Sequence, residues 1–417
     1  MKVKGNLVVA VAFGAAVACG AGLAGITPAR AADSAHSVSR AVGVPLQAAQ
    51  KDLQKNDFSG ALDQLAKADA VPKRTPYEEH LIHELEGYAY VHTHQYPEAA
   101  KALEATLTDG QIDPKDIPLR TVAVAQLNYQ IKNYDKAIQY GQVVIDKGYS
   151  DPQMPTLVGQ AYYLKNDWKG TVRFEKSLIA LDEKRGTQPA NESLQLLLSA
   201  CLKIDPSGDG ACTNNALQEL VIYYPKPAYW QELLYGMFKT VKSDKNLLQT
   251  YRLASEVDVL KRPEDFTDFA QLAIEAGSPG EAEQVIQKGM QLNIFPDART
   301  KGKAQRLLVD AQKASSRDQR TLDKLAQQAA LAHSGDQDVG LGLAYFGYQQ
   351  YDKAVQALSQ GISKGDLKDP PSAHLLLGIA QLKSGNKSAA LDAFKAVKGD
   401  AVLERLATLW SLRARQA

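Results

Sequence analysis

The residues best suited to chemistry are four neighbouring histidines, His80, His83, His92 and His94, with Glu79 and Glu84 beside them. Imidazole and carboxylate groups are the usual zinc ligands, so a metal site is the first chemistry to weigh. Spacing argues against it. Twelve residues of helix span about 18 Å, which parts His80 from His92. H-L-I-H-E matches neither H-E-x-x-H nor H-x-x-E-H. These histidines read as packed or solvated side chains, and no metal or cofactor is expected.

A second candidate is the loop Asp205, Ser207, Asp209, Gly210, which begins like a calcium loop. That pattern needs a bidentate Glu at its twelfth position. Ala216 stands there, so a tight turn capped by Asp is expected. Cys201 and Cys212 flank the loop. If Cys19 is lost with a leader, two cysteines remain, and an even count in an oxidising compartment predicts a disulfide. No nucleophile elbow, P-loop or dinucleotide fingerprint is present. No catalytic residue is assigned, and the chain is expected not to be an enzyme.

The elements that carry these residues repeat. GLGLAYFGYQQYDKAVQALSQGI (340–362) and LLLGIAQLKSGNKSAALDAFKAV (375–397) run in parallel, pairing Gly342 with Ala354 and Gly378 with Ala390. Gly87 precedes Ala99 by the same step, Ala125 precedes Ala137, and Ala270 precedes Ala282. Gly159 precedes Thr171, and Ala49 precedes Ala61. Short polar turns such as KNDF, THQY, KNYD, KNDW and QQYD lie between, most of them closed by an aromatic. Asn and Asp suit turns because their side chains bond nearby backbone. Apolar residues recur at three and four, as amphipathic helices require. The small residues let two antiparallel helices cross closely.

This pattern resembles the tetratricopeptide repeat family. The resemblance implies an all-α fold, a tetratricopeptide-type superhelical solenoid of antiparallel helix pairs. It is clearest in the units at Ala99, Ala137, Ala354 and Ala390 and degenerate at Ala61, Thr171 and Ala282. The expected organisation is a signal peptide at 1–31 and N-terminal repeats at 38–186. Irregular helical hairpins follow at 187–300, then C-terminal repeats with a terminal capping helix at 301–417. The resemblance also implies a function. Such surfaces bind proteins, and a groove formed by the first helix of each repeat would here present Tyr88, Gln126, Tyr129, Gln160 and Tyr163. Glutamine amides can pair with an extended peptide backbone. The middle segment from Leu217 to Phe238, with 276–290, is similar to periplasmic tetratricopeptide proteins that accompany TonB-type energy-transducing complexes. Its aromatic cluster Tyr223, Tyr224, Tyr229 and Trp230 reads either as a partner patch or as core at a bent junction.

The formal charge of +1, with no evident basic stripe, argues against nucleic acid as a partner. Lys2 and Lys4, the apolar run from Leu7 to Ile26 and the A-x-A site Ala29-Arg30-Ala31 read as a secretory signal peptide. Cleavage is expected after Ala31 or Ala32, with export to a bacterial periplasm and no membrane span afterwards. The expected partner is a protein or peptide of the bacterial envelope. Two alternatives stand beside this scaffold: an outer-membrane lipoprotein scaffold lipidated at Cys19, for envelope assembly or polysaccharide export, and a cell-wall enzyme using its repeats for docking.

Overall fold

The computed structural model describes residues 37–208 and 210–416. The expected signal peptide, Cys19 and Asp209 of the calcium-like loop lie outside the described residues. Among the described residues every regular element is a helix. Two units divide the chain, the first running to Ile204 and the second beginning at Asp205.

The N-terminal unit is a series of antiparallel pairs. These are α1 (Arg40–Gln54) with α2 (Phe58–Asp69), α3 (Pro76–His92) with α4 (Tyr96–Thr108), α5 (Ile117–Gln130) with α6 (Tyr134–Lys147), and α7 (Met154–Leu164) with α8 (Trp168–Lys184). A final α9 (Asn191–Ile204) packs on α7 and α8. The C-terminal unit holds α10 (Ala211–Tyr223), α11 (Pro227–Thr240), α12 (Asp244–Glu256), and the pair α13 (Pro263–Glu275) and α14 (Pro279–Gln291). The longer α15 (Ala298–Gln319) and α16 (Leu322–Leu331) follow. Two further pairs, α17 (Asp336–Gly347) with α18 (Tyr351–Lys364) and α19 (Pro370–Lys383) with α20 (Lys387–Lys395), lead to α21 (Ala401–Gln416).

One turn geometry joins the paired helices. Asn56, His94, Lys132, Asn166 and Gln349 adopt φ between 58° and 65°, and Gly277 and Gly385 hold the same place. The next residue donates its N–H to the carbonyl five positions back, as Asp57 does to Asp52 (2.9 Å), Asn133 to Asn128 (2.8 Å) and Gln350 to Tyr345 (2.9 Å). This left-handed closure satisfies carbonyls that a helix end leaves unpaired. Asp57, Asn133, Asp167 and Asn386 then cap the following helix by accepting a backbone N–H. The polar turns therefore hold two roles in order, a left-handed residue and then a cap. The α1–α2 and α13–α14 pairs, read from sequence as degenerate, close in the same way.

The small residues lie where the helices cross. Ala61, Ala99, Ala137, Ala282, Ala354 and Ala390 are fully buried. A Cβ added to Gly342 would lie 2.6 Å from Leu358, and one on Gly87 would overlap Leu103. Contacts this close leave no room for a methyl group. Cys201 and Cys212 are disulfide-bonded, as their even count predicts.

In the C-terminal unit α21 is the last helix. It packs on α19 and α20 and also returns to α10 and α12. Arg405 donates to Asn214 Oδ1 (2.9 Å), Asn246 to Asp400 (3.1 Å), and Gln416 to the Val221 carbonyl. Trp410 is buried near Phe394 at a centroid distance of 6.3 Å. One correction concerns charge. Arg306, Lys313 and Arg317 on α15 and Arg320 at its C-cap are all exposed, so a basic stripe exists there. The near-zero total conceals it, because the helical turn gathers residues three to four apart onto one face.

Candidate functional site

In the N-terminal unit the first helices of successive pairs stand side by side, and polar side chains tie each to the next. Tyr129 on α5 donates its hydroxyl to Gln160 Oε1 on α7 (2.8 Å). The Tyr163 hydroxyl on α7 lies 2.7 Å from Ser199 Oγ on α9. Gln126 Nε2 donates to Asp151 Oδ2 (3.1 Å). Tyr88 packs edge-on against Phe58 and His92, with centroids 6.1 and 4.5 Å away. The five groove residues are thus brought onto one row of helices.

Their accessibility differs. Tyr88, Gln126, Tyr129 and Tyr163 are half-buried, whereas Gln160 is only 4% exposed and serves the ladder. Burial, and secondarily Tyr134, raises the Tyr129 hydroxyl above its ordinary pKa, so it stays a proton donor at neutral pH. Tyr129 and Tyr163 also lean on the aromatic that closes their own turn. Tyr129 meets Tyr134 at 64° and Tyr163 meets Trp168 at 66°. Phe346 and Tyr351 repeat the pairing in the C-terminal unit, at 65°. Edge-on aromatic pairs of this kind fix ring orientation.

The other candidates resolve simply. His80 Nδ1 lies 2.9 Å from Asp109 Oδ2, His92 stacks on Phe58 at 4.4 Å, and His94 Nδ1 lies 2.8 Å from the Tyr96 hydroxyl. His80, His92 and His94 therefore each have their own local partner. No group of side chains suited to a metal occurs among the described residues. Asp205 Oδ1 accepts from the Ser207 amide (3.0 Å) and hydroxyl (2.7 Å), which hold its carboxyl below the usual pKa and make the turn Asp-capped. In the aromatic cluster, Trp230 is 3% exposed and belongs to the core. Tyr229 is half-buried, with the Lys226 ammonium 5.9 Å from its ring centre.

Sequence reasoning missed the interior of the C-terminal unit. Arg252 on α12 is buried, forms a double hydrogen bond to Glu281 on α14 (2.8 and 2.7 Å), and lies 5.3 Å from the Phe346 ring centre. Glu256 accepts from both Lys383 and Arg413. The available signal was the run from Leu248 to Ala254, which is buried on every side of α12. A basic residue inside such a run needs an acidic partner on a facing helix.

Among the solved structures similar to this chain, three are of low identity. A Naa15/Naa10 complex bound to HypK-THB is 14% identical over 88% of this chain, with a TM-score of 0.30, and this chain spans 65% of its length. The P58(IPK) TPR domain is 14% identical, covering 90% of this chain and 99% of that one, with a TM-score of 0.24. Yeast Tom70 is 8% identical, covering 90% and 96%, with a TM-score of 0.25. No residue role transfers from likenesses this weak. No curated protein matches the sequence. Residues 339–401, the segment holding α17 to α20, match the family model of the tetratricopeptide repeat, so this part of the chain carries that repeat.

Proposed function

We propose that the protein is a non-catalytic exported scaffold that binds a protein or peptide partner of the bacterial envelope along the first helices of its N-terminal unit. The row of Tyr88, Gln126, Tyr129 and Tyr163 carries this reading. Three of the four are held by a hydrogen bond to a neighbouring segment, and all four keep part of their surface accessible. Side chains fixed before binding lose little conformational freedom on contact. Tyrosine offers a broad apolar body with a polar tip. Export is supported by the charged start, apolar run and A-x-A site of the first residues, and by the Cys201–Cys212 bond, which suits an oxidising compartment. A TonB-type complex is the setting to which the resemblance of the middle segment points.

Pull-down from an envelope extract tests the partner surface. The Tyr129→Ala/Tyr163→Ala double variant should lose a protein that wild type retains, while keeping its helical signal and melting point. Retention by a folded double variant would rule out this face. The mass of the mature N-terminus tests export. A start at Ala32 or Asp33 is expected, a lipidated Cys19 would favour the lipoprotein, and an intact Met1 would contradict processing.

A further inference from the structure

A pocket of about 460 Å³ opens among α12, α13, α17 and α19 of the C-terminal unit. Ligand sites typically enclose about 300–1,000 Å³. Leu248, Leu272, Val339, Leu343 and Leu376 form much of its wall. Leu248 and Leu376 are buried, while the other three keep part of their apolar surface accessible. One polar atom in the same wall, Gln249 Oε1, has no hydrogen-bond partner among the described residues. Gln249 is only 5% exposed. A buried acceptor left unpaired is costly, and a ligand N–H would relieve that cost.

Charge at the mouth selects further. Asp244, Glu275, Asp336 and Asp369 stand against Lys245 and Lys368. Lys245 pairs with Asp369 (2.7 Å) and Lys368 lies 3.9 Å from Asp336. Asp244 and Glu275 are exposed and carry no ion pair among the described residues. Arg252, at the pocket wall, is committed to Glu281. The surplus is therefore negative.

We infer that this pocket binds a peptide segment carrying two adjacent large apolar side chains flanked by lysine or arginine. The apolar side chains fill the leucine-lined wall. A backbone N–H of the peptide donates to Gln249 Oε1. The flanking cation meets Asp244 and Glu275. This site rests on the reading of the protein as a peptide-binding scaffold and adds a second surface to the one on the N-terminal unit.

Calorimetric titration of the full chain with acetyl-Lys-Leu-Leu-Lys-amide tests it. Saturable binding is expected. Affinity should fall at least tenfold when the leucines become alanines or the lysines become glutamates. Gln249→Leu should weaken binding by a similar factor. Asp244→Lys/Glu275→Lys, which alters exposed residues only, should reverse the preference between lysine-flanked and glutamate-flanked peptides. Tyr129→Ala/Tyr163→Ala should leave the titration unchanged, which separates this site from the N-terminal surface. Two results would overturn the proposal: no saturation by the leucine peptide, or the same charge preference after the double reversal.

Discussion

Gly159 on α7 faces Glu175 on α8 so closely that a Cβ on the glycine would overlap Glu175 Oε1. The residue sixteen positions after the crossing glycine is Leu103 opposite Gly87, Leu358 opposite Gly342 and Phe394 opposite Gly378. Glu175 therefore occupies a place that other pairs fill with a large apolar side chain. It is 1% exposed, and Ser193 is its hydrogen-bonding partner.

Burial pushes the Glu175 carboxyl up to about 8, against an ordinary 4.5, with the Ser193 hydrogen bond opposing only in part. The folded state thus holds this proton more tightly than the unfolded chain. Stability from the group is fully present below about pH 4.5 and is lost as pH rises through about 8. Each pH unit of that gap is worth about 1.4 kcal/mol. Glu175→Gln should leave stability near wild type at pH 4 and raise it by a few kcal/mol at pH 9. Glu86, pushed up to about 7 chiefly by burial, adds to the wild-type slope and is untouched by the substitution. Denaturant midpoints at the two pH values measure the difference, and equal midpoints at pH 9 would mean that Glu175 is solvated.

Two glycines of the C-terminal unit should respond in opposite directions. A Cβ on Gly335 would collide with the backbone carbonyl of Gly361, which cannot move aside. Gly335→Ala should therefore cost about 1–3 kcal/mol through overpacking. Gly340, inside α17, has open space around it, and Gly340→Ala should stabilise by about 0.5–1 kcal/mol by removing unfolded-state freedom. Thermal melts of the two variants decide the matter, and destabilisation by both would show that α17 is placed differently.

The Arg252–Glu281 pair should behave as a unit. Arg252→Met leaves a buried carboxylate without its cation, a loss of about 3–5 kcal/mol. Adding Glu281→Met should restore most of it, because two apolar side chains can fill the same space. A double variant no more stable than the single would assign the loss to packing around Phe346.

Much of this architecture was readable because the repeat writes its geometry locally. Gly342 with Ala354 and Gly378 with Ala390 announced the crossings, and Asn166-Asp167-Trp168 spelled out a left-handed residue, a cap and a first helical residue. Cys201 and Cys212 were paired on their even count and an expected oxidising compartment. The interior of the C-terminal unit was not readable, since Arg252 meets Glu281 twenty-nine residues away and Lys383 meets Glu256 across more than a hundred. Such contacts depend on how successive pairs rotate, and no short motif encodes that rotation. For the groove residues, the sequence placed Tyr129 and Gln160 on one row without revealing that they bond to each other.

Site-specific photo-crosslinking tests the central claim most directly. A benzophenone side chain at position 126, on the row of first helices, is compared with one at position 176, on the exposed side of α8. Cells expressing each form are irradiated, and products are resolved by mass. A discrete adduct with an envelope protein is expected at position 126, absent at 176 and abolished by Tyr129→Ala/Tyr163→Ala. Adducts of equal yield at both positions, or none at 126 in a folded protein, would contradict the assignment of this face as the partner surface.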